Sequence, residues 1–196
     1  MFNQNSKTMK IKVLLLATLL AFGFLSLNAQ EVKNGDKILN LGIGVGSGLG
    51  YGSGYKTTIP AVSTSLEFIV KDDLFDGKGA LGVGGYVGYS AGKWEYTYSG
   101  GSYGWKYSNL VLGPRGYLHY SFLEKLDTYA GLMIGYWVSS SKEYGTTQTG
   151  YDAGNWGGFI WSGYVGGRYF FSDSFAAMLE LGSGISYLNL GIAFKF

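Results

Sequence analysis

Residues 185–196, Ile-Ser-Tyr-Leu-Asn-Leu-Gly-Ile-Ala-Phe-Lys-Phe, change character at every step. Leu188, Leu190, Ile192, Phe194 and Phe196 share one face, and Tyr187, Asn189, Gly191, Ala193 and Lys195 share the other. Period two with one greasy face and one face of small or polar groups is a β-strand pattern. It recurs near the start, where Leu39, Leu41, Ile43 and Val45 alternate with Asn40, Gly42, Gly44, Gly46 and Gly48. A glycine-lined face is a poor half of a soluble sandwich core. It suits the inside of a narrow closed barrel, because eight strands leave barely enough lumen for side chains. The apolar face must then look outward, and an outward apolar band needs lipid.

The first 29 residues are expected to be removed. Lys7, Lys10 and Lys12 precede an apolar run from Val13 to Leu27, and Leu27-Asn28-Ala29 offers a small-residue cleavage site before Gln30. That run matches a secretory signal better than a membrane span, which needs ~20 apolar residues. The leader takes three of the 15 basic groups and none of the 13 acids, leaving 12 against 13 and a net charge of −1. The basicity therefore belongs to the leader, and nucleic-acid binding has no electrostatic footprint. With no cysteine, disulfides, thiolate metal sites and thiol nucleophiles are excluded. No later stretch is long and apolar enough for a spanning helix. A membrane chain without one must close a barrel to satisfy every backbone group.

Residues 30–36 form a short polar lead-in, and residues 37–196 hold eight alternating segments. Beyond the first, they put outward Val62–Val70, Leu81–Tyr89, Leu110–Phe122, Ala130–Val138, Phe159–Phe171, Phe175–Leu181 and Leu188–Phe196, each at every second position. Short charged connections at 71–78, 123–127 and 172–174 alternate with Gly/Tyr/Ser-rich loops at 50–58 and 139–155, and Ser183-Gly184 makes a tight last return. Ser99-Gly100-Gly101-Ser102 reads as a hairpin, with the paired glycines in a two-residue turn. That turn makes partners of residues whose numbers sum to 201. Tyr98 then opposes Tyr103, Tyr96 opposes Trp105 and Trp94 opposes Tyr107, while Val87 meets Pro114, Val83 meets Leu118 and Leu81 meets Tyr120. The hairpin is longer than the ~9–11 tilted residues that cross a bilayer, so a two-stranded aromatic ribbon is expected to stand above it. Tyr120, Phe122, Tyr169, Phe171, Phe175, Phe194 and Phe196 cluster near the short turns as an interfacial girdle would.

The fold expected is therefore all-β, an eight-stranded, antiparallel, up-and-down transmembrane barrel. On the Ala29-Gln30 junction, the strand alternation and the Leu-Asn-Leu-Gly-Ile-Ala-Phe-Lys-Phe ending, the chain resembles the small outer-membrane barrels of the OmpX and OmpA-transmembrane-domain type, particularly the Bacteroidetes-like versions. The resemblance covers residues 37–196. It implies a bacterial outer-membrane location, outer-membrane lipid as surroundings, and barrel-assembly machinery and periplasmic chaperones as partners in biogenesis. It also implies that Phe194 and Phe196 act as the assembly signal, and that no peptidoglycan-binding domain follows.

The inward polar set is Glu67, Arg115, His119, Arg168, Glu180 and Lys195. These residues form either a gate or mutually neutralising pairs that plug the lumen. The second is expected, because buried charges are paired. Arg115 and Glu180 fall at similar mid-barrel height, and Arg168 and Glu67 both fall near the short turns. His119, the one histidine, lies near a short turn, at the wrong end for barrel enzymes that act on lipid A. No catalytic, metal or cofactor residues are expected. Gly42–Gly48 alternates along a strand with no helix after it, which rules against a phosphate-binding loop. Trp94, Tyr96, Tyr98, Tyr103, Trp105 and Tyr107 form the external aromatic hairpin, suited to adaptable contact with a surface protein or glycan. The reading is a monomeric, non-enzymatic barrel serving envelope integrity or surface contact. A narrow channel is the alternative, and a lipid-modifying enzyme the third.

Overall fold

The computed structural model describes residues 32–45, 55–146 and 154–196. The expected leader, most of the first long loop and part of the second lie outside them. Eight strands follow in chain order: β1 (Lys37–Val45), β2 (Tyr55–Leu74), β3 (Gly79–Tyr98), β4 (Gly101–Leu123), β5 (Leu126–Gly145), β6 (Asn155–Ser172), β7 (Phe175–Gly182) and β8 (Leu188–Lys195). Each pairs antiparallel with the next, and β1 pairs with β8, so the sheet is a closed up-and-down barrel. Closure is completed beyond the strand ends, where the backbones of Lys37 and Phe196 exchange both hydrogen bonds, at 2.9 and 3.0 Å.

The alternation sorts as its chemistry requires. On β5, Leu132 and Ile134 are each 67% exposed while Met133 between them is 1% exposed. Large side chains occupy the lumen in two layers. Tyr86, Val111, Tyr117, Tyr129, Met133, Tyr164 and Ile185 fill one layer. Ile38, Ile69, Ala80, Phe170, Ala176 and Ala193, with Val32, fill a second near the short turns. The glycine face is what admits such large groups. A Cβ at Gly166 would strike the Tyr129 ring, and one at Gly82 would strike the Glu67 carboxylate. Outside, the ring pairs Tyr120–Phe122 (4.6 Å), Tyr169–Phe171 (5.4 Å) and Phe175–Phe194 (5.4 Å) belt the short-turn end, joined by Phe75 against Tyr120.

The barrel's two ends differ. β7, β8 and the described part of β1 are eight or nine residues long, whereas β2 to β5 are 20 or more. Among the described residues, β2 to β5 therefore continue past β1, β7 and β8 as one projecting sheet, and β6, 18 residues long, follows β5 as far as Ser140. This corrects the ribbon expected from the sequence in three ways. Tyr55–Thr58 and Ser139–Gly145, read as loop, are strand, with Tyr55 opposite Trp94 and Gly145 opposite Tyr103. The hairpin is thus flanked on both sides. Its register also shifts, because Tyr98 pairs with Gly101 and the turn residues are Ser99 and Gly100. Positive φ falls at Gly101 (φ 152°) instead of within the turn.

Partner numbers accordingly sum to 199: Tyr96 opposes Tyr103, Trp94 opposes Trp105, and Tyr107 opposes Gly92. Lower down, Val87 meets Leu112, Val83 meets Gly116 and Leu81 meets Leu118. The facing survives, because a slip of one residue reverses every side chain and a shift of two reverses none. At the other end of the chain, β8 begins only at Leu188. Tyr187, expected on the inner face, is 65% exposed, and Ile185 before it turns into the lumen.

Candidate functional site

Two places concentrate chemistry. The first is a charged layer deep in the lumen, toward the short turns. Glu67 (β2), His119 (β4), Asp127 (β5) and Arg168 (β6) are all fully buried. The Arg168 guanidinium donates to Asp127 Oδ2 at 2.9 Å, to Glu67 Oε2 at 2.6 Å, and through Nε to Asn40 Oδ1 at 3.0 Å. His119 lies between the same two acids, with Nδ1 2.8 Å from Asp127 Oδ1 and Nε2 2.5 Å from Glu67 Oε1. Only the doubly protonated imidazolium donates at both nitrogens to carboxylates. Asn40 in turn donates to Ser65 Oγ at 3.0 Å. One connected network thus ties five strand walls together across the lumen. Charge-assisted hydrogen bonds of this kind are the strong ones.

One layer up, Arg115 donates from Nη1 to both Glu180 oxygens at 3.0 Å, and the Tyr129 hydroxyl donates to Glu180 Oε2 at 3.1 Å. Its guanidinium lies between two aromatic faces, 3.9 Å from the Tyr86 centroid and 4.2 Å from that of Tyr164. Arg168 likewise lies 4.3 Å from the Tyr129 ring. Counting His119 as imidazolium, three cations meet three carboxylates across the two layers. A neutral, hydrogen-bonded set is the arrangement in which charge tolerates a dry interior.

The structure thus brings together five of the six inward residues singled out from the sequence. Lys195 stands apart at the short-turn mouth, where its ammonium lies 3.4 Å from Asp36 and 5.7 Å from the Phe170 centroid. Asp127 is the member that sequence reading missed. In sequence it closes the charged connection 123–127, but the turn is only Glu124-Lys125 and Asp127 is the second residue of β5. The available signal was parity, since Asp127 lies two residues before inward Tyr129 and shares its face. Among the described residues no group of three or more His, Asp and Glu could hold a metal ion.

The second place is the projecting sheet. Its lumen-side face carries Trp94, Tyr103, Trp105 and Tyr107, with Trp94 edge-on to Tyr103 at 6.2 Å, Tyr103 edge-on to Trp105 at 6.3 Å, and Tyr55 stacked on Tyr107 at 6.1 Å. The Trp105 indole donates to the Tyr103 hydroxyl at 2.9 Å. Tyr96 (59% exposed) and Tyr98 stack on each other at 6.4 Å near the tip. The outer face carries Glu95, whose carboxylate accepts from the Tyr144 hydroxyl at 2.6 Å and from Lys93 at 3.3 Å.

No protein-family model matches the chain, and no curated protein sequence matches it. Solved structures do. Ail, the attachment invasion locus protein of Yersinia pestis, solved in complex with the heparin analogue sucrose octasulfate, is 12% identical over 83% of this chain and 99% of its own, with a TM-score of 0.51. The N-terminal β-barrel domain of Pseudomonas aeruginosa OprF is 14% identical over 85% and 100% of the two chains, at a TM-score of 0.43. Pseudomonas aeruginosa OprG is 12% identical over 86% and 99%, also at 0.43. At these identities the likeness is one of fold. Eight antiparallel up-and-down strands in a closed ring, apolar outside and filled within, give this chain the fold of the small eight-stranded outer-membrane β-barrels.

Proposed function

We propose that the protein is a monomeric outer-membrane barrel that does not conduct, and that its projecting sheet makes contacts at the cell surface. The observation that carries this reading is the filled lumen. Glu67, His119, Asp127 and Arg168 block it in one layer, and Arg115, Glu180, Tyr86, Tyr117, Tyr129 and Tyr164 block it in the next. A conducting path would have to break a connected set of charge-assisted bonds in a low-dielectric space. The short turns face the periplasm and the tall side faces outward, as in bacterial barrels with brief periplasmic turns. Phe194 and Phe196 look outward from the closing strand, where assembly factors can reach them. The lumenal charges are structural in this account: they hold strand walls together and act on no substrate.

Three properties support surface contact over a purely structural role for the tall strands. They extend well past the bilayer, carry exposed Tyr55, Tyr96 and Tyr98 beside half-buried Trp94 and Trp105, and are braced as a four-strand sheet. A protein or glycan is the expected partner. Single-channel recording in planar bilayers tests the reading, with purified, folded protein expected to give no stable conductance steps. Reproducible steps abolished by blocking the external rim would favour the channel.

A further inference from the structure

The registers of the projecting sheet align four lysines. Lys56 lies opposite Lys93, Lys93 opposite Lys106, and Lys106 opposite Lys142. Direct partners on an antiparallel ladder share a face. With strands ~4.8 Å apart, the row spans about 14 Å. The face is the outer one. Lys93 and Lys106 both lie against the Tyr144 ring, at 5.8 and 5.2 Å from its centroid, while Trp94, Trp105 and Tyr107 occupy the alternating lumen-side positions. Like charges directly opposed destabilise a sheet. Glu95 offsets part of this repulsion, through its 3.3 Å contact with Lys93 and its electrostatic attraction to Lys56. Among the described residues no carboxylate forms an ion pair with Lys56, Lys106 or Lys142. The row therefore keeps a net positive charge on one face of the sheet.

Its height specifies the anion. Three adjacent strands carry the same outward succession away from the short turns: Val87, Tyr89, Ala91, Lys93 on β3; Leu112, Leu110, Ser108, Lys106 on β4; and Tyr136, Val138, Ser140, Lys142 on β5. Two apolar positions, then a small one, then lysine is the profile of a surface leaving hydrocarbon for the headgroup layer. The lysines stand two outward positions above the apolar belt, about 13 Å along the strand and less in height because the strands tilt. Lysine stems lie along apolar surface while their ammonium groups stay in the polar layer. Ser108 and Ser140, directly opposite each other below the row, add hydroxyl donors.

We propose that the row Lys56–Lys93–Lys106–Lys142 binds the phosphorylated headgroup of an outer-leaflet lipid, whose acyl chains then lie on the apolar belt beneath. The proposal rests on the outer-membrane reading above. A soluble polyanion would have no use for a row continuous with the lipid-facing belt, and this continuity favours lipid.

The test uses the full-length protein folded in detergent micelles. Native mass spectrometry would measure retention of bisphosphorylated lipid A against its dephosphorylated form. Wild type is expected to favour the phosphorylated lipid by at least about tenfold, since each amine near an anionic surface adds severalfold. The K56Q/K93Q/K106Q/K142Q variant should lose the preference, and the corresponding all-arginine variant should keep it. Heat-modifiable migration on gels would establish that each variant is folded, and K106Q/K142Q alone should show a partial loss. Equal retention of both lipids by wild type, or an undiminished preference in the folded glutamine variants, would overturn the proposal. Tripolyphosphate displacing the lipid at equal molarity would overturn it in favour of a soluble anion. A wild-type chain that never becomes heat-modifiable or inserts into bilayers would remove the outer-membrane reading and this proposal together, whereas an inserted barrel without the preference would remove this proposal alone.

Discussion

The lumenal network and the projecting sheet handle charge in opposite ways. In the lumen, the buried charges stand against counter-charges: Arg168 against two acids and an amide, His119 against two acids, Arg115 through Nη1 against Glu180 and between two aromatic faces, its Nε having no hydrogen-bond partner among the described residues. In the sheet, the side chains are partly or fully exposed, and four amines stand in a row with one acid beside them. Burial decides the difference. A charge in a dry interior is tolerated only in company, whereas an exposed one is screened by water and salt. The lumen therefore spends its polar groups on holding the walls together. The sheet carries its own at the surface.

The contrast breaks hardest at Arg168. Replacing it with alanine leaves Glu67 and Asp127 facing each other across His119 alone, an uncompensated buried charge worth about 3–5 kcal/mol. Urea unfolding in lipid vesicles should register that loss. The matched surface change, Lys106→Ala, should stay within about 0.5 kcal/mol of wild type. Equal effects from the two would show that the lumen is wet. Next in size is the Arg115–Glu180 pair. The double alanine variant should be less damaged than the sum of the singles, with a coupling of about 0.5–3 kcal/mol for groups in direct contact. Strict additivity would mean that the aromatic faces of Tyr86 and Tyr164, not Glu180, hold the guanidinium.

A smaller effect is expected where the sheet's aromatics are removed. Serine at Tyr96, Tyr98, Tyr103 and Trp105 deletes cross-strand contacts worth about 0.2–1 kcal/mol each, while the barrel below keeps its closed ladder. Amide exchange should quicken at residues 94–105 and stay slow at residues 115–119. Because β5 runs in strand to Gly145, amides 140–145 should also be protected in wild type, and should lose part of that protection in the variant.

The alternation of apolar and small residues made barrel, strand number and facing legible, because each strand meets lipid on one side and a cramped lumen on the other. That logic stops at the bilayer surface. Above it the outer face of β5 becomes Ser140 and Lys142, and of β4 Ser108 and Lys106, so the periodicity fades although the hydrogen-bonded ladder continues. Residues 139–145 therefore resemble loop in composition and are strand in fact. Asp127 was hidden by its company in a charged turn. The lysine row was illegible for another reason: it exists only when three separate registers are known, and β2 reaches Lys93 through bulges between Thr57 and Val62 that no composition reveals. The hairpin facing could be read without the correct turn, but the contacts between particular side chains could not.

The smallest effect expected is a pH response confined to the sheet. The hydrogen bond from Tyr144, and then the one from Lys93, hold the Glu95 carboxyl below its usual value of 4.5. Tyr144 is pushed up to about 12 by desolvation and by that same bond, so its hydroxyl remains a donor at all ordinary pH values. A carboxylate whose folded-state value is depressed contributes stability that is fully present above its unfolded value and is lost as pH falls through the folded one. Lowering pH from neutral through the region below 4.5 should therefore release the β3–β5 outer-face contact. Amide exchange at residues 94–96 and 143–145, corrected for the intrinsic effect of pH, should rise relative to Glu95→Gln, which lacks the ionisation. Exposure keeps the effect small, and salt should shrink it further. An identical pH profile in wild type and Glu95→Gln would mean that Lys93 and Tyr144 are held by Lys106 and the sheet instead of by this carboxylate. The row of amines would then have no internal counter-charge at all, sharpening the contrast with the neutral set in the lumen.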